Sequence, residues 1–364
     1  MREKLYGLQA LRALAASMVI YAHALSTYQN KIMALAPMAG GVNLGAFGVK
    51  IFFCISGFII CHSSYLMPAG VVSASVFAWR RAIRIVPLYF AATGLYAAKL
   101  ALQGNAPTST DLIASLLFLP HGPAPMHPVL GVGWTLNFEV FFYLAFGVAL
   151  LVERPARIFL FLSIFAATGL AGWAGLFSSP DGHLLLKAIG FFADIHLVYF
   201  ILGVSLALGK TRFRHALANI GMAPGFTVAA AASVVFSGLW LSWYWNPGGW
   251  LAEAIILACV SMAVTVCIVE TPASQYRVSR PVRWLGITGD ASYSSYLTHG
   301  FVMGPIARLI AVLRIDMSVN LFASAMVLAA TGAGIVVYRS FELPILRRFG
   351  KPSFLVPIKG TKTN

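Results

Sequence analysis

Residues 44–66 read LGAFGVKIFFCISGFIICHSSYL, a nearly unbroken apolar run with one lysine, Lys50, inside it. A membrane-crossing helix needs about 20 consecutive, mostly apolar residues, so this stretch is long enough to span a bilayer. The rest of the chain has the same character: of 364 residues, 59% are hydrophobic and 10% are charged, and the mean hydropathy is +0.81. Soluble domains carry about 45–50% apolar and about 25% charged residues. The composition therefore excludes a soluble globular fold.

Similar apolar stretches recur and predict an all-α polytopic membrane protein with about ten transmembrane helices. The stretch Leu112–Leu119 is too short to cross and is predicted to be re-entrant or interfacial. Lys and Arg collect in alternate loops, which the positive-inside rule places in the cytoplasm together with both termini. We expect a membrane domain over residues 1–345 and a basic cytoplasmic tail over residues 346–364. The predicted spans are 7–27, 44–66, 84–103, 131–151, 157–177, 186–208, 225–244, 250–270, 287–312 and 318–340.

The net charge of +15 follows from this topology, because most cations, Arg157 among them, are assigned to cytoplasmic loops. We therefore expect a lipid bilayer around the chain and no nucleic-acid partner. Four cysteines lie in apolar runs without metal-ligand spacing, and no HExxH or Walker motif is present. Ser56 lies in FCISGF, which lacks the GxSxG elbow of serine hydrolases. We expect no metal and no tightly bound cofactor, and the sequence carries no signal for an oligomeric state.

Arg12 and His23 head a short set of ionisable residues inside the predicted spans. Such residues cost at least about 2.5–3.5 kcal/mol each on insertion scales and therefore mark functional sites. Eleven residues separate the two, which places both on one stripe of the first helix, about 16 Å apart along its axis. A cation near the cytoplasmic end and an imidazole near the far end suit a path for an anionic ligand. The alternative is a packed histidine with a snorkelling arginine.

Three arginines, Arg80, Arg81 and Arg84, are predicted at the cytoplasmic start of the third span. Their spacing of three and four residues lets them converge on one anion. Guanidinium groups match phosphate geometry well. The alternative is topological anchoring alone.

A carboxylate, Glu139, lies inside the fourth predicted span, and Tyr143 follows it at the i+4 position, where it can hydrogen-bond the carboxylate. A carboxylate at that depth suits acid–base chemistry or the orientation of a histidine. The alternative is a structural ion pair with Lys50 or Arg12.

The ninth predicted span carries polar residues at i, i+3, i+4 and i+7, namely Ser292, Ser295, Tyr296 and His299. Such a stripe faces either other helices or a wet cavity. Asp194 and His196 are two residues apart in the sixth predicted span, so we expect them on different faces and not as one unit.

Six sequence blocks, in order over about residues 5–345, resemble the membrane-bound acyltransferase-3 family. The opening block and residues 84–87 look most like its exopolysaccharide-modifying (ExoZ-like) branch. The blocks are LQALRALAA (8–16) followed by His23, GVKIFFCISGF (48–58), RRAIRIVPLY (80–89), WTL (134–136) with Glu139, YSSYLTH (293–299) and FELP (341–344).

This resemblance implies ten helices in the bacterial inner membrane and transfer of an acyl group, usually acetyl, from cytoplasmic acyl-CoA to a hydroxyl. The acyl-CoA is a donor substrate, and the acceptor is a carbohydrate or another hydroxyl compound. The resemblance implies that His23 is the essential histidine and Arg12 its basic companion. It assigns the acyl-CoA phosphate contacts to Arg80, Arg81 and Arg84.

One position departs from the family, which usually has an acidic residue where this chain has Lys50. Another carboxylate is therefore expected to support His23, with Glu139 as the first candidate and Asp194 as the second. The remaining supporting or substrate-contacting candidates are Lys50, Ser56, Tyr143, Tyr296 and His299.

These expectations describe an acetyl-CoA-dependent O-acetyltransferase in which His23 is the general base for the acceptor hydroxyl. The expected acceptor is an exopolysaccharide or its lipid-linked precursor. The alternative function is a membrane transporter or flippase for a glycan or an anionic metabolite. A transporter would predict interrupted helices at matching places in two halves, and the sequence shows no such symmetry.

Overall fold

The computed structural model describes residues 5–33, 39–121, 126–173, 190–216, 229–237, 249–268 and 279–350, and all regular elements in these ranges are helical. This confirms the all-α class. Residues 229–237 are also helical. The other main helices are α1 (Tyr6–Tyr28), α2 (Ala39–Ser64), α3 (Val71–Leu102), α4 (Ser109–Leu116), α5 (Trp134–Ala149), α6 (Arg154–Trp173), α7 (His196–Ala216), α8 (Gly249–Ile268), α9 (Arg280–Asp290), α10 (Ser292–Val312), α11 (Val319–Val337) and α12 (Leu343–Phe349).

Six helical segments in the described ranges are long and apolar enough to cross a bilayer. A shorter apolar helix at His196–Lys210 overlaps the sixth predicted span, and another at Leu251–Cys267 lies within the eighth. The seventh predicted span lies largely outside the described residues. The count of ten spans and the orientation of the termini therefore stay predictions. The six segments are Tyr6–Tyr28, Leu44–Ser64, Val71–Leu102, Gly131–Ala149, Arg154–Gly172 and Val319–Phe349.

Large apolar side chains are exposed on several of these helices. Leu102, Phe159 and Leu328 expose 91%, 75% and 75% of their surface. Exposure of so much apolar surface to water is unfavourable, whereas the acyl chains of a bilayer solvate it. The exposure is that of a membrane protein.

The helices form two compact units. We call them the histidine unit, Met1–His62 with Val198–Tyr338, and the arginine unit, Ser63–Leu197 with Arg339–Asn364. In the histidine unit α1 packs against α8, α9, α10 and α11. A core of α1, α10 and α11 side chains includes Ile20, Ala24, Met303, Ala307, Phe322 and Met326.

Close helix contacts in the histidine unit depend on glycine. A Cβ at Gly289 on α9 would lie 2.0 Å from the carbonyl oxygen of Gln9 on α1. A Cβ at Gly203 on α7 would lie 1.9 Å from the carbonyl oxygen of Cys54 on α2. Small residues permit such approach between membrane helices. These contacts hold α9 against α1 and α7 against α2.

In the arginine unit α3 packs against α4, α5 and α12, and α5 packs against α6. Thr108 and Asp111 form a capping box at the start of α4, and the Thr108 hydrogen bonds hold the pKa of the Asp111 carboxyl below its usual value. Phenylalanine rings fill the α5–α6 contact, among them Phe142, Phe146, Phe161 and Phe165.

The third predicted span starts too late. α3 begins at Val71, after Gly70 with a φ of 122°, a backbone conformation that glycine adopts most readily. Residues 71–84 contain no helix breaker, so the helix runs through the arginine cluster. Arg80, Arg81 and Arg84 therefore lie within α3, not at its start.

The ninth predicted span, 287–312, also needs correction. α9 ends at Asp290, Ala291 forms a turn, and α10 begins at Ser292. Glycines at 286 and 289 weaken helix propensity before this break. The polar stripe thus begins a helix of its own.

Arg157 is not an exposed loop charge, because it lies in α6 and its side chain is fully buried. It donates hydrogen bonds to the carbonyl oxygens of Met67 at 3.0 Å and Val152 at 3.2 Å, and also to that of Tyr65. Arg157 therefore ties the α2–α3 connection to the α5–α6 connection.

Candidate active site

A pair of histidines joins α1 to α10 in the histidine unit. Nδ1 of His23 and Nε2 of His299 are 3.0 Å apart, and the two ring planes are within 13° of parallel. His23 is exposed, whereas only 3% of His299 is exposed. The pair thus presents one reactive ring and one buried ring.

The buried ring of the pair is anchored on its other side. Nδ1 of His299 lies 2.5 Å from the carbonyl oxygen of Tyr296, three residues earlier in α10. The Tyr296 ring packs edge-on against Phe52 of α2. The helix α10 therefore contacts α1 through the histidine pair and α2 through Tyr296.

The predicted polar stripe of α10 faces inward. Ser292, Ser295, Tyr296 and His299 are all at most 7% exposed. Ser295 Oγ donates back to the carbonyl oxygen of Ala291 at 3.1 Å. Ser295 thus hydrogen-bonds within its own segment, while His299 contacts His23 of α1.

Arg12 lies on α1 and is 8% exposed. Its Nη1 donates to Oε1 of Gln9 at 3.3 Å. Both Arg12 and His23 belong to one continuous helix, as their spacing predicts. Burial argues against an arginine that only snorkels to an interface.

Lys50 forms an ion pair with Glu253 of α8, at 2.5 Å between Nζ and Oε1. Tyr199 of α7 donates to the other carboxylate oxygen at 2.9 Å, and the Lys50 ammonium lies 5.5 Å from the Tyr199 ring centroid. The structure thus pairs Lys50 with Glu253, whereas the sequence analysis offered Lys50 only as one of two alternative ion-pair partners of Glu139. Ser56 lies six residues further along α2 and is half-buried.

A second polar cluster lies in the arginine unit. Tyr143 donates a hydrogen bond to Glu139, the bond that their spacing predicts. The Arg81 guanidinium lies 5.5 Å from the Tyr143 ring centroid, interacts electrostatically with Glu139 and donates from Nη2 to Ser63 Oγ at 3.0 Å. Phe77 packs on the same guanidinium.

The three arginines of α3 differ in their surroundings. Arg81 is held inside the cluster just described, Arg80 is exposed, and Arg84 is half-buried. Trp79 Nε1 donates to the carbonyl oxygen of Phe349 at 2.8 Å, so α12 lies beside the start of the cluster. Arg80 offers the most accessible guanidinium of the three.

The prediction that Asp194 and His196 do not form a unit is wrong. The Asp194 carboxylate contacts His196 Nδ1 and accepts the His196 backbone N–H at 3.0 Å. The reason is that Asp194 lies in a turn before α7, so helical spacing does not apply to it. The His196 ring also packs edge-on against Trp134.

Sequence reasoning missed two partners. The sequence analysis does not identify Glu253 as the partner of Lys50, and it expects His299 only as a supporting residue, without its link to His23. Neither link has a local signal, because 203 residues separate the first pair and 276 the second. Within the described residues, no group of three His, Cys, Asp or Glu side chains could hold a metal.

Residues 5–339 match the model of the acyltransferase domain family (acyltransferase 3). The chain is 32% identical over 319 residues to the exopolysaccharide production protein ExoZ of Rhizobium meliloti (strain 1021), covering 84% of this chain and 90% of that protein. No solved structure is significantly similar to this chain.

Proposed function

Because this chain belongs to the acyltransferase 3 family, we propose that it is a multi-pass O-acetyltransferase of the bacterial inner membrane. It moves the acetyl group of cytoplasmic acetyl-CoA to a carbohydrate hydroxyl. The name of the similar protein concerns exopolysaccharide production, which supports an exopolysaccharide or its lipid-linked precursor as acceptor.

The observation that carries the proposal is the arrangement of His23. Its ring is exposed, and its Nδ1 is engaged by His299. Within the described part of the chain, Nε2 of His23 makes no hydrogen bond. A general base needs such a nitrogen within reach of the proton that it removes.

In the proposed reaction, His23 Nε2 takes the proton of the acceptor hydroxyl while the hydroxyl oxygen attacks the thioester carbonyl. The tetrahedral intermediate collapses, the carbon–sulfur bond breaks, and the imidazolium returns the proton to the CoA thiolate. The products are an acetyl ester and free CoA. Atoms, charge and protons balance without a further reactant.

The anionic donor is proposed to bind the arginines of α3 through its CoA phosphates. Arg80 and Arg84 supply guanidinium groups for the CoA phosphates. Arg81 adds positive charge beside them while it contacts Glu139 and Tyr143. Arg12, about 16 Å from His23 along α1, attracts the anionic donor toward the base. Support of His23 by Glu139 or Asp194 stays a prediction.

The test uses purified protein in lipid nanodiscs with labelled acetyl-CoA and the surface glycan. Replacement of a general base typically lowers turnover about 10²–10⁴-fold, so His23→Gln should lose that much CoA release and ester formation. The matched control is His62→Gln, an exposed histidine of α2, which should keep wild-type turnover. Wild-type turnover in His23→Gln would refute the proposal, and glycan movement without CoA release would favour a transporter.

A further inference from the structure

We propose that His299 is a positioning residue that fixes His23 in one tautomer, with the proton on Nδ1 and the lone pair on Nε2. The kinetic part of this inference rests on the proposed function. The tautomer itself is a property of the resting protein and is measurable without any substrate.

The argument starts at the carbonyl oxygen of Tyr296. A carbonyl only accepts hydrogen bonds, so Nδ1 of His299, 2.5 Å away, must carry a proton. A carbonyl oxygen has two lone pairs, so this bond is compatible with a helical hydrogen bond to the same oxygen. The contact with the Tyr296 carbonyl therefore fixes a proton on Nδ1 of His299.

The next step concerns the charge of His299. Only 3% of the residue is exposed, and its described hydrogen-bond partners are a carbonyl and another imidazole. A buried imidazolium without an opposite charge is strongly disfavoured. His299 is therefore neutral, and its Nε2 carries a lone pair instead of a proton.

The lone pair of His299 then decides the state of His23. A hydrogen bond between Nε2 of His299 and Nδ1 of His23, 3.0 Å apart, needs one proton between the two nitrogens. Because Nε2 of His299 carries none, that proton is on Nδ1 of His23. A neutral imidazole has one protonated nitrogen, so Nε2 of His23 is left as the basic atom. The chain of bonds thus runs from the Tyr296 carbonyl through His299 to a single free lone pair on the exposed ring.

This arrangement has two consequences for the reaction. Without His299, the His23 ring would share its proton between two nitrogens, and only one of the two forms presents the base at Nε2. When His23 gains a proton, its Nδ1–H bond to His299 becomes charge-assisted and therefore stronger. His299 acts through His23 in both cases and touches neither substrate.

The kinetic test compares His299→Leu with His299→Gln. Leucine fills the buried site but accepts no hydrogen bond, whereas a glutamine oxygen stands the same number of bonds from Cα as Nε2 and can accept the His23 proton. In a serine protease, a wrong histidine tautomer lowers kcat about 10⁴-fold. We expect His299→Leu to lower kcat about 10²–10⁴-fold with an unchanged KM for acetyl-CoA, and His299→Gln to recover at least about tenfold of that loss.

Met303→Leu is the matched packing control, since Met303 is a buried core residue one turn further along α10. It should keep wild-type kcat. A His299→Leu protein with wild-type kcat would overturn the inference. So would a His299→Gln protein as impaired as His299→Leu.

The second measurement is nitrogen NMR of protein with ¹⁵N-labelled histidine. The chain has eight histidines, and a difference spectrum against His23→Gln assigns the His23 signals. We expect a protonated Nδ1 and an unprotonated Nε2 in the wild type, and a shift toward the other tautomer in His299→Leu. A protonated Nε2 in the wild type would overturn the inference even if acetyl transfer is confirmed, and the expected spectrum would support it even if acetyl transfer fails.

Discussion

The ion pair between Lys50 and Glu253 predicts unequal costs for removing its two partners. The Lys50 side chain is 8% exposed and the Glu253 side chain is 37% exposed. Glu253→Gln leaves a buried ammonium group without its counter-charge, and breaking a buried pair in this way costs about 3–5 kcal/mol. Lys50→Met leaves a carboxylate that is partly exposed and still accepts the Tyr199 hydrogen bond, so we expect a cost of about 1–2 kcal/mol.

The double variant Lys50→Met with Glu253→Gln holds no unpaired charge, so it should be more stable than Glu253→Gln alone. The assay is the free energy of unfolding in mixed micelles as the fraction of denaturing detergent is raised. Lys99→Met, which removes an exposed lysine from α3, is the control and should stay within about 0.5 kcal/mol of the wild type. Equal costs for the two single variants, or strict additivity in the double variant, would refute the reasoning.

Two further predictions concern the arginines. Arg80→Ala and Arg84→Ala each remove a charge from the proposed phosphate contacts. In steady-state kinetics, each should raise the KM for acetyl-CoA about tenfold, or about 1.4 kcal/mol, with little change in kcat. An unchanged KM in both variants would indicate that the arginines serve only membrane topology. Arg157→Ala should destabilise the protein by about 2–4 kcal/mol in a thermal unfolding experiment, because it leaves three carbonyl oxygens without their donor. The control Arg154→Ala, at an exposed site, should be nearly neutral. Equal melting temperatures for the two variants would contradict the structural role of the buried Arg157.

Local patterns predicted those features of the site that depend on one helix. The apolar composition indicates the membrane class, the spacing of Arg12 and His23 places them on one helix, and the i+4 spacing of Glu139 and Tyr143 predicts their hydrogen bond. Each of these follows from helical geometry, which acts over a few turns.

Contacts between distant segments could not be predicted in this way. The link of His23 to His299 and that of Lys50 to Glu253 depend on how helices pack, and side-chain type alone does not select one partner among several buried polar residues. The position of Asp194 was missed for another reason, since helical spacing was assumed for a residue that lies in a turn.

The glycine contact between α9 and α1 has a consequence for genetic screens. Any side chain at Gly289 collides with the carbonyl oxygen of Gln9, and Gln9 is the residue that accepts a hydrogen bond from Arg12. Gly289→Ala would therefore be recovered as a loss-of-function allele although alanine carries no reactive group. A second-site change that restores activity is expected among the α1 neighbours of this contact, and such a suppressor would map the α1–α9 contact without any structural measurement.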